Sequence, residues 1–301
     1  MSSLRKKLLL ILNPCAGMQK ANKSFVNILE LFTQAGYEIN VCLTQKEYNA
    51  SEIVQEYGFS CDLIVCIGGD GTFNQTVDGV IKSGCNKPIG YIPAGSTNDF
   101  ASGLKLNKDV VYAVNDIING KEIELDIGKF NDRHFSYVAS CGLFTRVAYA
   151  TQQDIKNMFG RLAYIFEGIR DLTMLKAEHL RIETPDKVFE DDYIFAAVCN
   201  ATSVGGVLKL NQNLVDLSDG LFELLLIKMP RNLIELSEII YALDNQDYST
   251  HLLTFYPISK CKIICGKDIS WTLDGEYMKG CKEIEVSTLN KAIKLVVPNR
   301  Y

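Results

Sequence analysis

The 301-residue chain has no window of eighteen or more apolar residues, the length a membrane-spanning helix requires. It has no excess of positive charge either. Lysine and arginine number 31 against 36 acids, a net charge of −5, which argues against nucleic acid as the main partner. Ten cysteines are present but none forms a CxxC pair. Most sit inside apolar runs, as at Cys42, Cys66 and Cys199, where cysteine serves as a small core residue in a reducing compartment. The three histidines, His134, His179 and His251, lie far apart in sequence, so none has a second ligand at helical spacing. Neither GxxxxGK nor GxGxxG occurs, which removes the two commonest nucleotide loops. The first residues, Met1 to Lys7 followed by Leu8–Leu12, imitate a signal peptide. The apolar run is too short and Asn13-Pro14 is no cleavage site, so Leu8–Leu12 is expected to be a buried strand and the chain cytoplasmic.

The composition, 47% hydrophobic and 22% charged, is that of a globular protein with room for one large domain or two of ordinary size. The organising stretch is Leu63-Ile64-Val65-Cys66-Ile67-Gly68-Gly69-Asp70-Gly71-Thr72. Five apolar residues stop at a glycine turn, and a helical pattern resumes from Phe73 to Ser83. A strand that breaks at glycines and restarts as a helix presents backbone N–H groups and a helix dipole to an anion. Glycine is expected there for positive φ angles and for close approach of a phosphate. The acid Asp70 needs a divalent cation or a positioned hydroxyl between itself and that phosphate.

Residues 1 to about 120 alternate strand and helix signals. Strands are expected at Leu8–Leu12, Ile39–Leu43, Leu63–Ile67 and Pro88–Ile92, and helices at Lys20–Gln34, Ala50–Tyr57 and up to Ser83. Gly36 stands where the first helix should be capped. Such βα repeats imply an open, mostly parallel Rossmann-like sheet, with ligands at the carboxyl ends of its strands. Four polar loops fall at that edge: Asn13-Pro14-Cys15-Ala16-Gly17, Thr44, Gly68–Thr72 with Asn74 behind it, and Pro93-Ala94-Gly95-Ser96-Thr97-Asn98-Asp99-Phe100. Each alone is a set of turn and cap residues. Four together form a binding constellation.

After Gly120 short strands follow one another, which argues for a second, mostly antiparallel β-sandwich-like domain over residues 126–301, after a nucleotide-binding domain over 1–125. Expected strands are Lys121–Phe130, His134–Ala139, Leu180–Thr184, Tyr193–Cys199, Leu221–Ile227, Lys260–Cys265 and Ile269–Leu273. Residues 281–298 read as two more that can pack back on either domain. A helix from about Asp154 to Leu175 carries a broad apolar face, either a lip meeting a bilayer or a helix packed on the core. Two acidic turns stand out, Asp216-Leu217-Ser218-Asp219-Gly220-Leu221 and Asp274-Gly275-Glu276. In the second, two carboxylates flank a glycine at a strand end, a pattern suited to general-base work. The plainer alternative for each is a solvated β-turn.

Asn13-Pro14-x-x-Gly17, Gly68-Gly69-Asp70-Gly71-Thr72 and Pro93 to Ala101, in that order, resemble the three N-terminal motifs of diacylglycerol-kinase-type lipid kinases, closest to the bacterial soluble members. Ser96 stands where threonine is commoner and Ser102 where an arginine is expected. The resemblance implies transfer of the ATP γ-phosphoryl group to the primary hydroxyl of diacylglycerol. Gly68, Gly69, Gly71 and Thr72 would hold the phosphates, helped by Asn13, Thr44, Gly95, Ser96 and Thr97, with Pro14, Gly17, Asn74 and Asn98 in the same nucleotide site. Asp70 and Asp99 would organise Mg²⁺ and its waters. Asp274 would take the hydroxyl proton, with Glu276 as second choice. A structural Mg²⁺ is implied at the Asp219 carboxylate and the backbone carbonyls of Asp216 and Leu221. The implied partner is a membrane lipid, met by transient contact of a cytoplasmic protein with the membrane surface; a homodimer is left open. The alternatives are a kinase for sphingosine, ceramide or monoacylglycerol, an NAD-kinase-like enzyme, and a non-catalytic sensor.

Overall fold

The computed structural model describes residues 5–15, 20–96, 98–143, 172, 175–201, 203–204, 208–211 and 214–300. These residues form two compact units, one of residues 1–125 with 291–301 and one of residues 126–290. The expected helix near 154–175 lies outside the described residues except for Leu172 and Leu175.

The first unit runs β1 (Lys6–Leu12), α1 (Lys20–Gln34), β2 (Tyr37–Leu43), α2 (Ala50–Tyr57), β3 (Leu63–Gly68), α3 (Asp70–Ser83), β4 (Pro88–Pro93), α4 (Asp99–Gly103) and α5 (Val110–Asn119). Its strands pair in parallel in the order β2-β1-β3-β4. All six residues of β3 are buried because helices cover both faces of the sheet. On one face Leu8, Leu10, Val65 and Ile67 pack with Ile28 and Phe32 of α1 and Val114 of α5. The helices start and stop on local chemistry. Asn49 and Glu52 form a capping box on α2, Asp109 caps α5, and Gly36 at φ +87° ends α1.

The second unit is mostly antiparallel. It continues through β5 (Lys121–Phe130), which begins in the first unit, β6 (Arg133–Phe135), β7 (Val138–Gly142), β8 (Glu178–Glu183), β9 (Val188–Cys199), β10 (Ser203–Val204), β11 (Leu208–Lys209) and β12 (Phe222–Lys228). Helix α6 (Leu233–Asp244) follows, then β13 (Leu253–Ile258), β14 (Lys260–Cys265), β15 (Trp271–Leu273), β16 (Glu276–Met278) and β17 (Glu283–Val297). The long β9 pairs with β8 through its first half and with β7 and β12 through its second. These strands gather around a core containing Phe130, Phe135, Leu180, Phe222, Ile263 and Trp271.

Four details depart from the sequence expectation. Helix α3 opens at Asp70 rather than Phe73, with Gly69 as its N-cap. The expected strand His134–Ala139 is broken at Ser136 and Tyr137, whose N–H groups turn to the Asp274 carboxylate. Residues 283–297 form one strand instead of two; Lys291 takes φ +49° within it. Its end, Lys294 and Leu295, pairs in parallel with β4. Finally, α4, α5, β10, β11, α6, β13 and β16 have no counterpart among the expected elements, although for α6 Asn232 is a good N-cap and Leu236, Ile239 and Leu243 recur at helical spacing.

Candidate active site

At the carboxyl ends of β1, β3 and β4 three loops are locked together. The Asn13 side-chain amide donates to Thr72 Oγ1 at 2.9 Å, and the Asn13 N–H donates to the Ile67 carbonyl at 3.0 Å. The Ala94 N–H donates to the Gly68 carbonyl at 2.7 Å. A Cβ on Gly95 would lie 2.5 Å from the Gly69 Cα, so the second and third loops touch backbone to backbone. That contact, not the expected positive φ, is what glycine supplies here. Gly69 has φ −89°, and none of Gly68, Gly69 and Gly71 has a positive φ.

The left-handed residue is Asn98, at φ +51°, where asparagine is tolerated because its short amide can bond locally. The Asn98 Oδ1 accepts from the Gly95 N–H at 2.9 Å and its Nδ2 donates to the Gly95 carbonyl at 2.9 Å. Asn98 is buried and closes the third loop into a ring. Beneath it Phe73 stacks on Phe100 with centroids 4.3 Å apart, and Tyr91 packs against both. These aromatics fix α3 and α4 relative to each other.

Asp70 joins the two helix starts. Its carboxylate accepts from the Asp99 N–H at 3.0 Å and from the Phe100 N–H at 3.2 Å. Burial, with Asp70 beside it, pushes the Asp99 carboxyl up to about 6, while Lys108 pulls it down. Two carboxylates this closely coupled invite a cation. Asn13, Thr72, Gly68, Gly69, Asp70, Gly95, Asn98 and Asp99 are thus brought into one constellation. The Thr44 N–H donates to the Leu12 carbonyl and flanks it. Pro14 is half-buried in the first loop, Gly71 and Asn74 are half-buried in the first turns of α3, and Ser96 is exposed. Gly17 and Thr97 lie outside the described residues.

In the second unit Asp274 sits at φ +50° and is buried. Its Oδ2 accepts from the Ser136 N–H at 2.5 Å, and its Oδ1 from the Tyr137 and Val138 N–H groups at 3.0 Å each. Three N–H groups therefore fix the orientation of this carboxylate. Glu276, one glycine further on, is exposed and lies 3.5 Å from the Arg133 guanidinium.

The Asp216–Leu221 turn is held from outside by Asp126, a residue whose role the sequence did not signal beyond a domain edge. Buried Asp126 accepts the Gly220 N–H at 2.6 Å and the Asn290 side-chain amide at 3.1 Å. Within the turn Asp216 accepts from the Ser218 N–H and Asp219 from the Leu221 N–H. Glu223 lies behind it, buried, with Oε2 lacking a partner, and Asn200 Oδ1 is likewise unpartnered. Burial, reinforced by Asp219 and Asp216, pushes the Glu223 carboxyl up to about 8. Among the described residues no three acid, histidine or cysteine side chains converge as a metal cage. A hard cation held by oxygen atoms and waters needs fewer side chains than that, and the orphaned oxygens behind the turn suit such an ion.

Residues 7–130 match the family model for the diacylglycerol kinase catalytic domain. Over 296 residues the chain is 32% identical to a diacylglycerol kinase of Bacillus subtilis (strain 168), covering 97% of each. It is 31% identical over 298 residues to a diacylglycerol kinase of Staphylococcus aureus (strain MRSA252), covering 98% of this chain and 94% of that one. The fold superposes on a crystal structure described as a diacylglycerol kinase from Bacillus anthracis str. Sterne with a TM-score of 0.75, at 19% identity and 98% coverage of both chains.

Proposed function

The chain belongs to the diacylglycerol kinase family, and we propose that it transfers the γ-phosphoryl group of ATP to the primary hydroxyl of diacylglycerol, giving phosphatidic acid and ADP. The observation that carries this is the interlock of two glycine loops through Asp70, which presents helix N-termini and paired acids on one edge of a parallel sheet. Phosphoryl transfer asks for in-line placement and charge neutralisation more than for covalent chemistry. The amides around Gly68, Gly69, Gly71 and Gly95, with Asn13, Thr44, Thr72, Ser96 and Thr97, hold the phosphates. Asn98 keeps the third loop closed so that those amides keep their direction.

Asp70 and Asp99 would hold Mg²⁺ and its waters, which would neutralise charge on the transferring phosphate. Asp274 takes the hydroxyl proton as the hydroxyl oxygen bonds to Pγ and the β–γ bridge breaks toward ADP; Glu276 is the alternative base. The Asp219 carboxylate and the carbonyls of Asp216 and Leu221 would hold a second, structural Mg²⁺. No described helix is long and apolar enough to cross a membrane. The proposed reaction has the lipid met by peripheral, transient contact with the bilayer surface.

The test is a panel of mixed micelles, each with one lipid, incubated with radiolabelled ATP. Label is expected in phosphatidic acid from diacylglycerol, at least tenfold faster than in the products of sphingosine, ceramide or monoacylglycerol. Preferred phosphorylation of any of the other three replaces the substrate; no transfer to any lipid removes the reading.

A further inference from the structure

At the other end of the same strands, away from the glycine loops, the amino-terminal ends of β1, β2, β3 and β4 border a cleft of about 560 Å³. That size suits a small-molecule site. Four cations line it, Arg5, Lys6, Lys7 and Lys87, against two acids, Asp62 and Glu122. Asp62 is already engaged, since its carboxylate accepts the Lys7 backbone N–H at 2.7 Å. Among the described residues none of the four cationic side chains makes an ion pair. In a chain of net charge −5 this cleft is a concave concentration of positive charge, the kind of surface that draws an anion. The lining also carries apolar side chains, among them Tyr37, Pro88 and Ile117.

We propose that this cleft binds a small soluble phosphate ester, the phosphate held by the cations and the carbon skeleton by the apolar residues of the lining. A phosphate monoester carries up to two negative charges, which matches the cleft's surplus of two cations over acids. A flat anionic bilayer would bring its charge against Asp62 and Glu122 as well as the lysines, whereas a single phosphate can sit among the cations alone. The site is separate from the nucleotide loops, so it stands or falls independently of the proposed reaction.

The experiment is isothermal titration of the full chain, free of Mg²⁺, with glycerol 3-phosphate as probe. Saturable binding is expected, weakened about tenfold or more by Lys87→Gln and by Lys6→Gln, and unchanged by Asp70→Asn in the nucleotide loop. Should Lys87→Gln fail to fold, Arg5→Gln, at an exposed position, carries the same test. Absence of binding at millimolar probe overturns the proposal. So does binding that Asp70→Asn abolishes and Lys87→Gln spares. Sedimentation with phosphatidylglycerol vesicles separates the sources: lysine-dependent vesicle binding without glycerol 3-phosphate binding would make the ligand a lipid headgroup and refute a soluble ester.

Discussion

Replacing Gly95 by alanine should disable the nucleotide loops while leaving the rest of the first unit folded. The added Cβ would stand 2.5 Å from the Gly69 Cα and 2.8 Å from the Asn98 Oδ1. Carbon atoms rest at roughly 3.5–4.0 Å from one another, so the two loops must part by about 1 Å. Overpacking of this kind costs about 1–3 kcal/mol. At about 2–4 °C per kcal/mol for a unit of this size, the melting temperature should fall by roughly 2–12 °C. A shift of about 1 Å among positioning groups can lower turnover on the order of 10²-fold. The control is Gly69→Ala. There the new Cβ meets the Gly95 Cα at 3.2 Å, a contact relieved by a few tenths of an ångström, so turnover should fall by no more than about tenfold. Micelle-based kinase assays and thermal melts on both variants decide the matter. If Gly95→Ala stays within about threefold of wild-type turnover with an unchanged melt, loop-to-loop contact is not what the glycine provides. Equal damage from the two substitutions would point instead to steric exclusion of the nucleotide.

Further outcomes are expected for the acids and for Thr72. Asp274→Asn replaces an acceptor oxygen with an amide that faces the N–H groups of Ser136, Tyr137 and Val138. It should lower both the melting temperature and turnover, the latter by on the order of 10²–10⁴-fold. Glu276→Gln, at an exposed position, should leave the melt alone, and a comparable loss of turnover in it would move the base to Glu276. In chelator, stability should decline as pH rises from about 4.5, the unfolded value of Glu223, through its folded value of about 8. The folded state then holds a proton that the unfolded chain has released, so ionisation favours unfolding. Glu223→Gln should flatten that decline in chemical-denaturation curves taken across the range, and added Mg²⁺ should raise the melting temperature unless Asp219 is changed to asparagine. Thr72→Val removes the acceptor for the Asn13 amide. It should cost about 1 kcal/mol in denaturant titrations.

The first unit is legible in the sequence because its signals are local. Apolar runs of strand length and Gly36 beyond a helical pattern each act within a few residues, as the Asn49–Glu52 capping box does in the structure. The glycine loop is legible as a place, but its mechanism is not. The reason Gly69 and Gly95 are glycines is each other, and they are 26 positions apart. The second unit is less readable for the same physical cause. The strand expected over 134–139 breaks because a carboxylate more than a hundred residues away attracts the backbone at Ser136. Asp126 looks like one more residue of an ordinary strand, since its partners Gly220 and Asn290 are supplied by the fold. Helix α6 did carry a readable signal, the Asn232 cap with buried Leu236, Ile239 and Leu243.

Strand β17 has a consequence for how the polypeptide matures. Residues 294 and 295 complete the hydrogen-bond ladder beside β4, some two hundred positions earlier in the chain. During synthesis the ribosome must therefore release nearly everything before the first unit can close that flank. Until then Pro88 and Ile89 present an unprotected border, and the leading proline, which has no N–H to offer, is well chosen for the wait. A messenger truncated after codon 290 would yield a protein in which that border never closes, prone to join copies of itself.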